Sequence, residues 1–247
     1  MKTVLKWAGV VVGSLVGLII LCAAGVYVYG GHLDNRTLTT AADAKSLTIA
    51  SSPSILARGE HLATAIGKCG DCHAPDYGGS KFIDDPKLGS ISAPNITGGR
   101  GSRIASYDDA SLERLLRHGI KIDGHPALVM PSEVFNNFSD EDMAALIAFL
   151  RSLPKVDRET GPKNLKFLAR ALVSFGIIKY GYDQIDQSKA HIATVVASAG
   201  ADYGRYMVDV GGCRGCHGNT LSGGPIPGGP PRFKPAANLT PKGSPRA

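Results

Sequence analysis

The chain has 247 residues, a formal net charge of +6 and 43% hydrophobic side chains, a composition ordinary for a globular protein. The charge is local: residues 54–150 hold nine Lys/Arg against thirteen Asp/Glu, whereas residues 151–180 hold seven against two. With no basic stripe interleaved with stacking aromatics, no nucleic-acid partner is expected, and the basic segment suits lipid or an acidic partner better.

From Trp7 to Tyr29 no charge interrupts 23 positions; about 20 apolar residues suffice to cross a bilayer core. Lys2 and Lys6 precede the run, so the positive-inside rule keeps the N-terminus cytoplasmic and sends the remainder outside. The alternative is a cleaved signal peptide, but its apolar core usually runs about 7–15 residues, and the cleavage site near Cys22-Ala23-Ala24 is weak. A retained single-pass anchor over residues 1–31 is expected, with a linker over 32–53. Cys22 follows the bulky Leu21 and does not fit a lipoprotein cysteine.

The pattern predicts a helix over 54–66, with Leu56, Leu62 and Ile66 apolar and Gly59 leaving room for a close crossing. It runs into CGDCH at 69–73, and the remaining two of the five cysteines lie in CRGCH at 213–217. Two thiols three positions apart can reach the two vinyl groups of one porphyrin, and the adjoining histidine then comes under the iron. A zinc site would separate its cysteine pairs by about 15–20 residues; here Cys72 and Cys213 are 141 apart. A thioredoxin-like site would need a βαβ setting, and no strand pattern is evident. Two covalently bound haem c groups are expected, held by Cys69, Cys72 and His73 and by Cys213, Cys216 and His217. Neither pair remains for a disulfide.

A second helix is predicted from Asp108-Asp109, through Leu112, Leu115 and Leu116, to Gly119. A third begins with the capping-box-like Ser139-Asp140-Glu141-Asp142, carries Met143, Leu146, Ile147 and Leu150, and closes at Pro154. Between them, in GHPALVMPSEVF, stands Met130, whose soft thioether suits a haem iron. The bland alternative is a buried apolar side chain, the role expected of Met143; His118 and His125 are rival ligands.

RGEHLATAIGKCGDCH, APNITGG and LLRHGIKIDGHPALVMPSEVFNNFSDEDMAALIAFLRSLP resemble the class I cytochrome c domain of proteobacterial membrane-bound cytochromes. Such cytochromes include subunits of periplasmic alcohol and sugar dehydrogenases, and the resemblance covers residues 54–154. It implies that Met130 is the distal ligand, that helix 139–152 crosses helix 54–66 with Phe149 near Gly59, and that Pro-Asn-x-Thr lies against the haem. It also implies one-electron transfer, with a periplasmic dehydrogenase on one side and an oxidase or cytochrome complex on the other.

A basic amphipathic linker is expected over 155–200, where Leu165, Leu168, Leu172 and Phe175 recur beside Lys163, Lys166 and Arg170. Its helix is expected to pack between the two haem domains, with an interfacial helix on the membrane as the alternative. From Gly204 the sequence repeats itself: GRYMVDVGGCRGCH matches GEHLATAIGKCGDCH less one residue, and AANLT matches APNIT. First cysteine to asparagine spans 26 residues in one copy and 25 in the other. The second domain, 201–247, is expected to be a truncated copy, its end PKGSPRA resembling an interrupted loop. Met207 is expected in a core and His191 in the linker, so no distal ligand is assigned to the second haem.

The expected architecture is mainly α: a transmembrane helix followed by tandem cytochrome c domains, the second incomplete. The expected function is a diheme electron carrier of the bacterial inner membrane, its haems on the periplasmic side. A diheme peroxidase or ligand-binding protein with a five-coordinate second haem is the rival.

Overall fold

The computed structural model describes residues 2–39, 47–227, 229 and 232–243. Residues 244–247 of the expected interrupted loop 241–247 and part of the 32–53 linker lie outside these residues. The fold is mostly helical. Helix α1, Lys2–Asn35, is apolar and long enough to cross a membrane, and its apolar window is unburied.

Helix α2, Pro53–His61, starts where Ser52 Oγ accepts the Ile55 N–H and Pro53 fills the first turn. It does not continue to residue 66 as regular α-helix. Leu62–Ile66 is a π-turn closed by the Gly67 N–H onto the Leu62 carbonyl at 2.7 Å. A π-turn absorbs one extra residue. The repeat that lacks this residue runs as an uninterrupted helix, α8, Ala201–Val210. Short helices carry the two motifs, α3 over Cys69–His73 and α9 over Arg214–His217.

Helix α4, Asp109–His118, is capped by Asp108 and ends at Gly119 in the left-handed region, φ 68°. After the four-residue α5, Ser132–Phe135, comes α6, Asp140–Ser152, capped by Ser139 with three acids in its first turn. Met143, Leu146, Ile147 and Leu150 are buried along α6. Helices α2 and α6 cross at Gly59, where an added Cβ would meet the Ala145 carbonyl oxygen at 2.0 Å and Phe149 Cβ at 2.7 Å. Arg58 clasps Asp142 across that crossing with bonds of 2.7 and 2.8 Å. The fully buried Arg117 pairs with Glu113 within α4 and ties α4 to the start of α6 through the Phe138 carbonyl and Asp140.

A small antiparallel sheet, β1 Ser80–Asp85, β2 Gly89–Ala93 and β3 Asn164–Leu165, corrects the expectation of no strands. Short and one-sided, its strands carry too few alternating apolar residues to signal themselves. The third strand comes from the expected linker, so that segment returns to the first domain before leaving it.

Helix α7, Phe167–Ser174, does not sit between the two motif-bearing segments. It packs on the C-terminal end of α1, where Ser174 Oγ donates to the Val26 carbonyl at 2.9 Å and Gly30 leaves room for Arg170. Asp34 at the end of α1 is buried, pairs with Lys163 and accepts from the Tyr180 hydroxyl. Helix α8 docks on α5 and α6 by burying Tyr206 and Val210 in the first domain's core cluster. The Tyr206 hydroxyl bonds Asp142, and the Ser139 N–H donates to it.

Candidate functional site

The first motif is built around a left-handed Lys68, φ 48°, that turns the chain out of the π-turn and into α3. Cys69 packs against the core cluster and Cys72 is half-buried. Burial pushes the Cys69 thiol up to about 11 and Cys72 upward as well. A redox-exchange cysteine requires the opposite shift, toward thiolate at neutral pH.

His73 Nδ1 donates to the Pro94 carbonyl oxygen at 2.7 Å. That bond fixes the proton on Nδ1 and makes Nε2 the nitrogen with a free lone pair, as in a metal-binding imidazole oriented through its other ring nitrogen. Burial holds the His73 pKa below its ordinary value, which favours the neutral, ligating form. The accepting loop is itself fixed. Buried Asn95 donates to the Val156 carbonyl at 2.7 Å and accepts from the N–H and hydroxyl of Thr97 at 2.9 and 2.8 Å.

Met130 lies between α4 and α5 and packs, partly buried, against the same cluster as Cys69, Ile66 and Leu115. The turn that delivers it is held by the Ala127 N–H on the Gly119 carbonyl and by the Ile122 N–H on Tyr107 Oη. Its rivals are bonded at Nδ1 too, as His73 is. His118 Nδ1 meets Gln187 Oε1 at 2.7 Å, and His125 Nδ1 meets the Arg36 carbonyl at 3.2 Å. Two thiols, an imidazole with a free nitrogen and a thioether beside an apolar cluster are a donor set that fits a covalently attached haem.

The second motif repeats the proximal half bond for bond. His217 Nδ1 donates to the Ala237 carbonyl at 2.8 Å. The Gly223 N–H meets the His217 carbonyl at 2.9 Å, as Gly79 meets His73 at 2.8 Å. Asn238 Oδ1 accepts from the N–H and hydroxyl of Thr240, both at 2.8 Å. The left-handed pair Gly218 and Leu221, φ 76° and 59°, reproduces Ala74 and Tyr77, φ 66° and 58°. Cover differs: Asn95 and Ile96 are buried, whereas their counterparts Asn238 and Leu239 are exposed.

Neither candidate from the interval before Cys213 is loose. Met207 packs against the first domain's cluster. His191 lies edge-on to His118 with ring centroids 5.7 Å apart and 3.3 Å from Asn136 Nδ2; burial and the neighbouring Arg117 lower its pKa to about 4. Sequence reasoning missed the polar joints: Arg58–Asp142, Tyr206–Asp142 and the Arg117 cluster. The Glu113/Arg117 spacing of four was the one visible signal.

The family model described as cytochrome c matches residues 56–154. The chain is similar to the fructose dehydrogenase cytochrome subunit of Gluconobacter japonicus, 32% identical over 67% of this chain and 35% of that one. It is similar to a diheme cytochrome c-type protein of Cereibacter sphaeroides, 29% identical over 70% of this chain and 64% of that one. The gluconate 2-dehydrogenase cytochrome c subunit of Pantoea cypripedii is 35% identical over 38% of this chain and 22% of its own length. The chain thus spans about a third of the fructose dehydrogenase subunit and less than two thirds of the diheme protein.

Proposed function

The chain carries a cytochrome c domain over residues 56–154, and from that premise we propose that it is a membrane-anchored carrier of single electrons with two haems. Such a domain implies covalently bound haem c, which supplies the Fe(II)/Fe(III) couple. Cys69 and Cys72 would attach the first haem, with His73 and Met130 as the residues that would hold its iron. Cys213, Cys216 and His217 would hold the second.

The residues' work is positional. The His73–Pro94 and His217–Ala237 bonds hold each imidazole in one tautomer and one orientation, so the ligand does not reorganise when the charge changes. A His/Met pair would raise the potential of a haem held there. No side chain has to make or break a substrate bond.

The observation that carries the two-haem reading is the repetition of the proximal bonds in the second motif. The electron-carrier role is supported by the relatives, which are cytochrome subunits of fructose and gluconate dehydrogenases. We place the haem segments on the periplasmic side of the inner membrane, between a periplasmic dehydrogenase and a respiratory oxidase or cytochrome complex.

The test is the intact mass and pyridine haemochrome spectrum of the full chain made in a host that attaches haem c. The expected result is two haems, falling to one in Cys213→Ser/Cys216→Ser with the first still attached. One haem in the unaltered chain overturns the two-haem reading. Carbon monoxide binding to the ferrous second haem would turn that site toward the ligand-binding alternative.

A further inference from the structure

We propose that α7 and the tip of the β1–β2 hairpin form a binding site for the headgroup of an anionic phospholipid at the outer face of the membrane. The proposal rests on reading α1 as the membrane span. Its 23 uncharged positions from Trp7 to Tyr29 cover about 34 Å at roughly 1.5 Å per residue, slightly more than a hydrocarbon core of about 30 Å. Tyr27 and Tyr29 therefore stand at the outer interface, where aromatic side chains concentrate.

The contacts of α7 fix its depth. It touches α1 at Val26, through Ser174, and at Gly30, where an added Cβ would come within 2.7 Å of the Arg170 carbonyl oxygen. The Arg170 guanidinium lies 4.5 Å from the centre of the Tyr27 ring. With Ala169 and Val173 buried in the protein, Phe167, Leu168, Phe175 and Ile177 are left 42–70% exposed. Four large apolar side chains at the level of the interface have a natural medium in the acyl boundary beside α1.

The charge beside that apolar face selects the headgroup. An open groove of about 700 Å³ is lined by Tyr27, Lys87, Lys166, Phe167 and Leu168, among others. The hairpin brings Lys87 there because the Lys166 N–H donates to the Leu88 carbonyl at 3.0 Å and Gly89 pairs with Leu165. Gly89, φ 101°, is required at that join, since a Cβ would sit 2.0 Å from the Asn164 carbonyl oxygen. Lys166 Nζ donates to the neutral Pro86 carbonyl at 2.9 Å. The nearby Asp85 accepts the backbone N–H groups of Lys87 and Leu88 at 2.7 and 2.8 Å, and its charge, which also interacts with Lys87 and Lys166, offsets part of theirs. Among the described residues neither lysine is in an ion pair. An apolar shelf for acyl chains, flanked by two unpaired ammonium groups and by Arg170, matches a phosphate-bearing lipid with net negative charge.

Hydrogen exchange of the full haem-loaded chain in nanodiscs tests this. The discs contain phosphatidylcholine alone or with phosphatidylglycerol added. Exchange in 164–178 is expected to slow on the order of ten-fold when phosphatidylglycerol is present, two basic groups each adding several-fold to surface affinity. Lys87→Gln/Lys166→Gln should abolish that difference while α1 stays protected in both discs. Equal exchange of 164–178 in the two discs, with α1 protected, overturns the lipid site and leaves the anchor standing. Free exchange along 8–26 overturns the anchor, and the lipid site with it.

Discussion

Gly59 and Gly204 occupy the same place in the two repeats, and their surroundings predict opposite responses to alanine. At Gly59 a Cβ would lie 2.0 Å from the Ala145 carbonyl oxygen, against 3.4 Å for the start of ordinary contact. Helices α2 and α6 would have to part by about 1.4 Å, or the backbone of α6 would have to bend. Forced overpacking costs about 1–3 kcal/mol, with rigid backbone at the upper end, and the helix-propensity gain of alanine returns only about 1 kcal/mol. Gly59→Ala should therefore lose about 2 kcal/mol net, a fall in Tm on the order of 10 °C for a domain of this size. At Gly204 nothing lies within 4 Å of the added Cβ, so Gly204→Ala keeps the propensity gain and should stabilise by up to about 1 kcal/mol. Thermal unfolding followed by far-ultraviolet circular dichroism of the haem-loaded chain measures both. A neutral or stabilised Gly59→Ala would refute the close crossing.

Four further outcomes follow from the polar joints, the methionines and His191. Tyr206→Phe leaves the buried Ser139 N–H without its acceptor at 3.2 Å; a loss of about 1–3 kcal/mol should show as a lower urea midpoint and faster proteolysis within 185–200. Met130→Ala should lower the potential of one haem and let its ferrous form bind carbon monoxide. Met143→Leu, a volume-conserving change in the core, should leave the potential in place and cost less than about 1.5 kcal/mol. His191, with its folded pKa lowered to about 4 by burial and Arg117, binds fewer protons folded than unfolded between about pH 4 and 6.5. Stability should fall as pH drops through that window, and His191→Gln should flatten the decline in urea midpoints measured across it.

The parts of the fold legible in the sequence are those written in local chemistry. Ser139 with three following acids, Asp108 before Leu112, and Gly119 after the last leucine fixed the bounds of α6 and α4 because caps act over one turn. The correspondence of the two Cys-x-x-Cys-His stretches and of their Asn-x-Thr loops was legible because the second stretch repeats the first at nearly the same spacing. What remained hidden depends on partners distant in sequence. Arg58 meets Asp142 across 84 positions, and Asp34 accepts from Tyr180 across 146; no periodicity announces such pairs. The position of α7 was hidden for a related reason: a short amphipathic helix shows which face is apolar, but not whether protein or lipid covers it. The π-turn was partly encoded, as the one residue by which the two repeats differ.

Sequence distance also explains why the two proximal halves match so closely while their cover does not. Each is closed by a histidine bond to a carbonyl only 21 or 20 positions away, so each forms from a contiguous stretch at small loop-closure cost. The cover of the first comes from afar, through Val156 and Arg158 on Asn95 and through α6 on α2. The second draws its helix packing from the first domain: Tyr206 and Val210 of α8 complete a cluster to which α6 contributes more residues than any other helix. Loosening the first domain should therefore loosen the second motif. In Gly59→Ala, hydrogen exchange of residues 201–217 should accelerate together with that of α6, although the substitution lies outside the second repeat. Acceleration confined to α2 and α6, with α8 exchanging as before, would show that the second motif holds its helix by itself and that the shared cluster does not couple them.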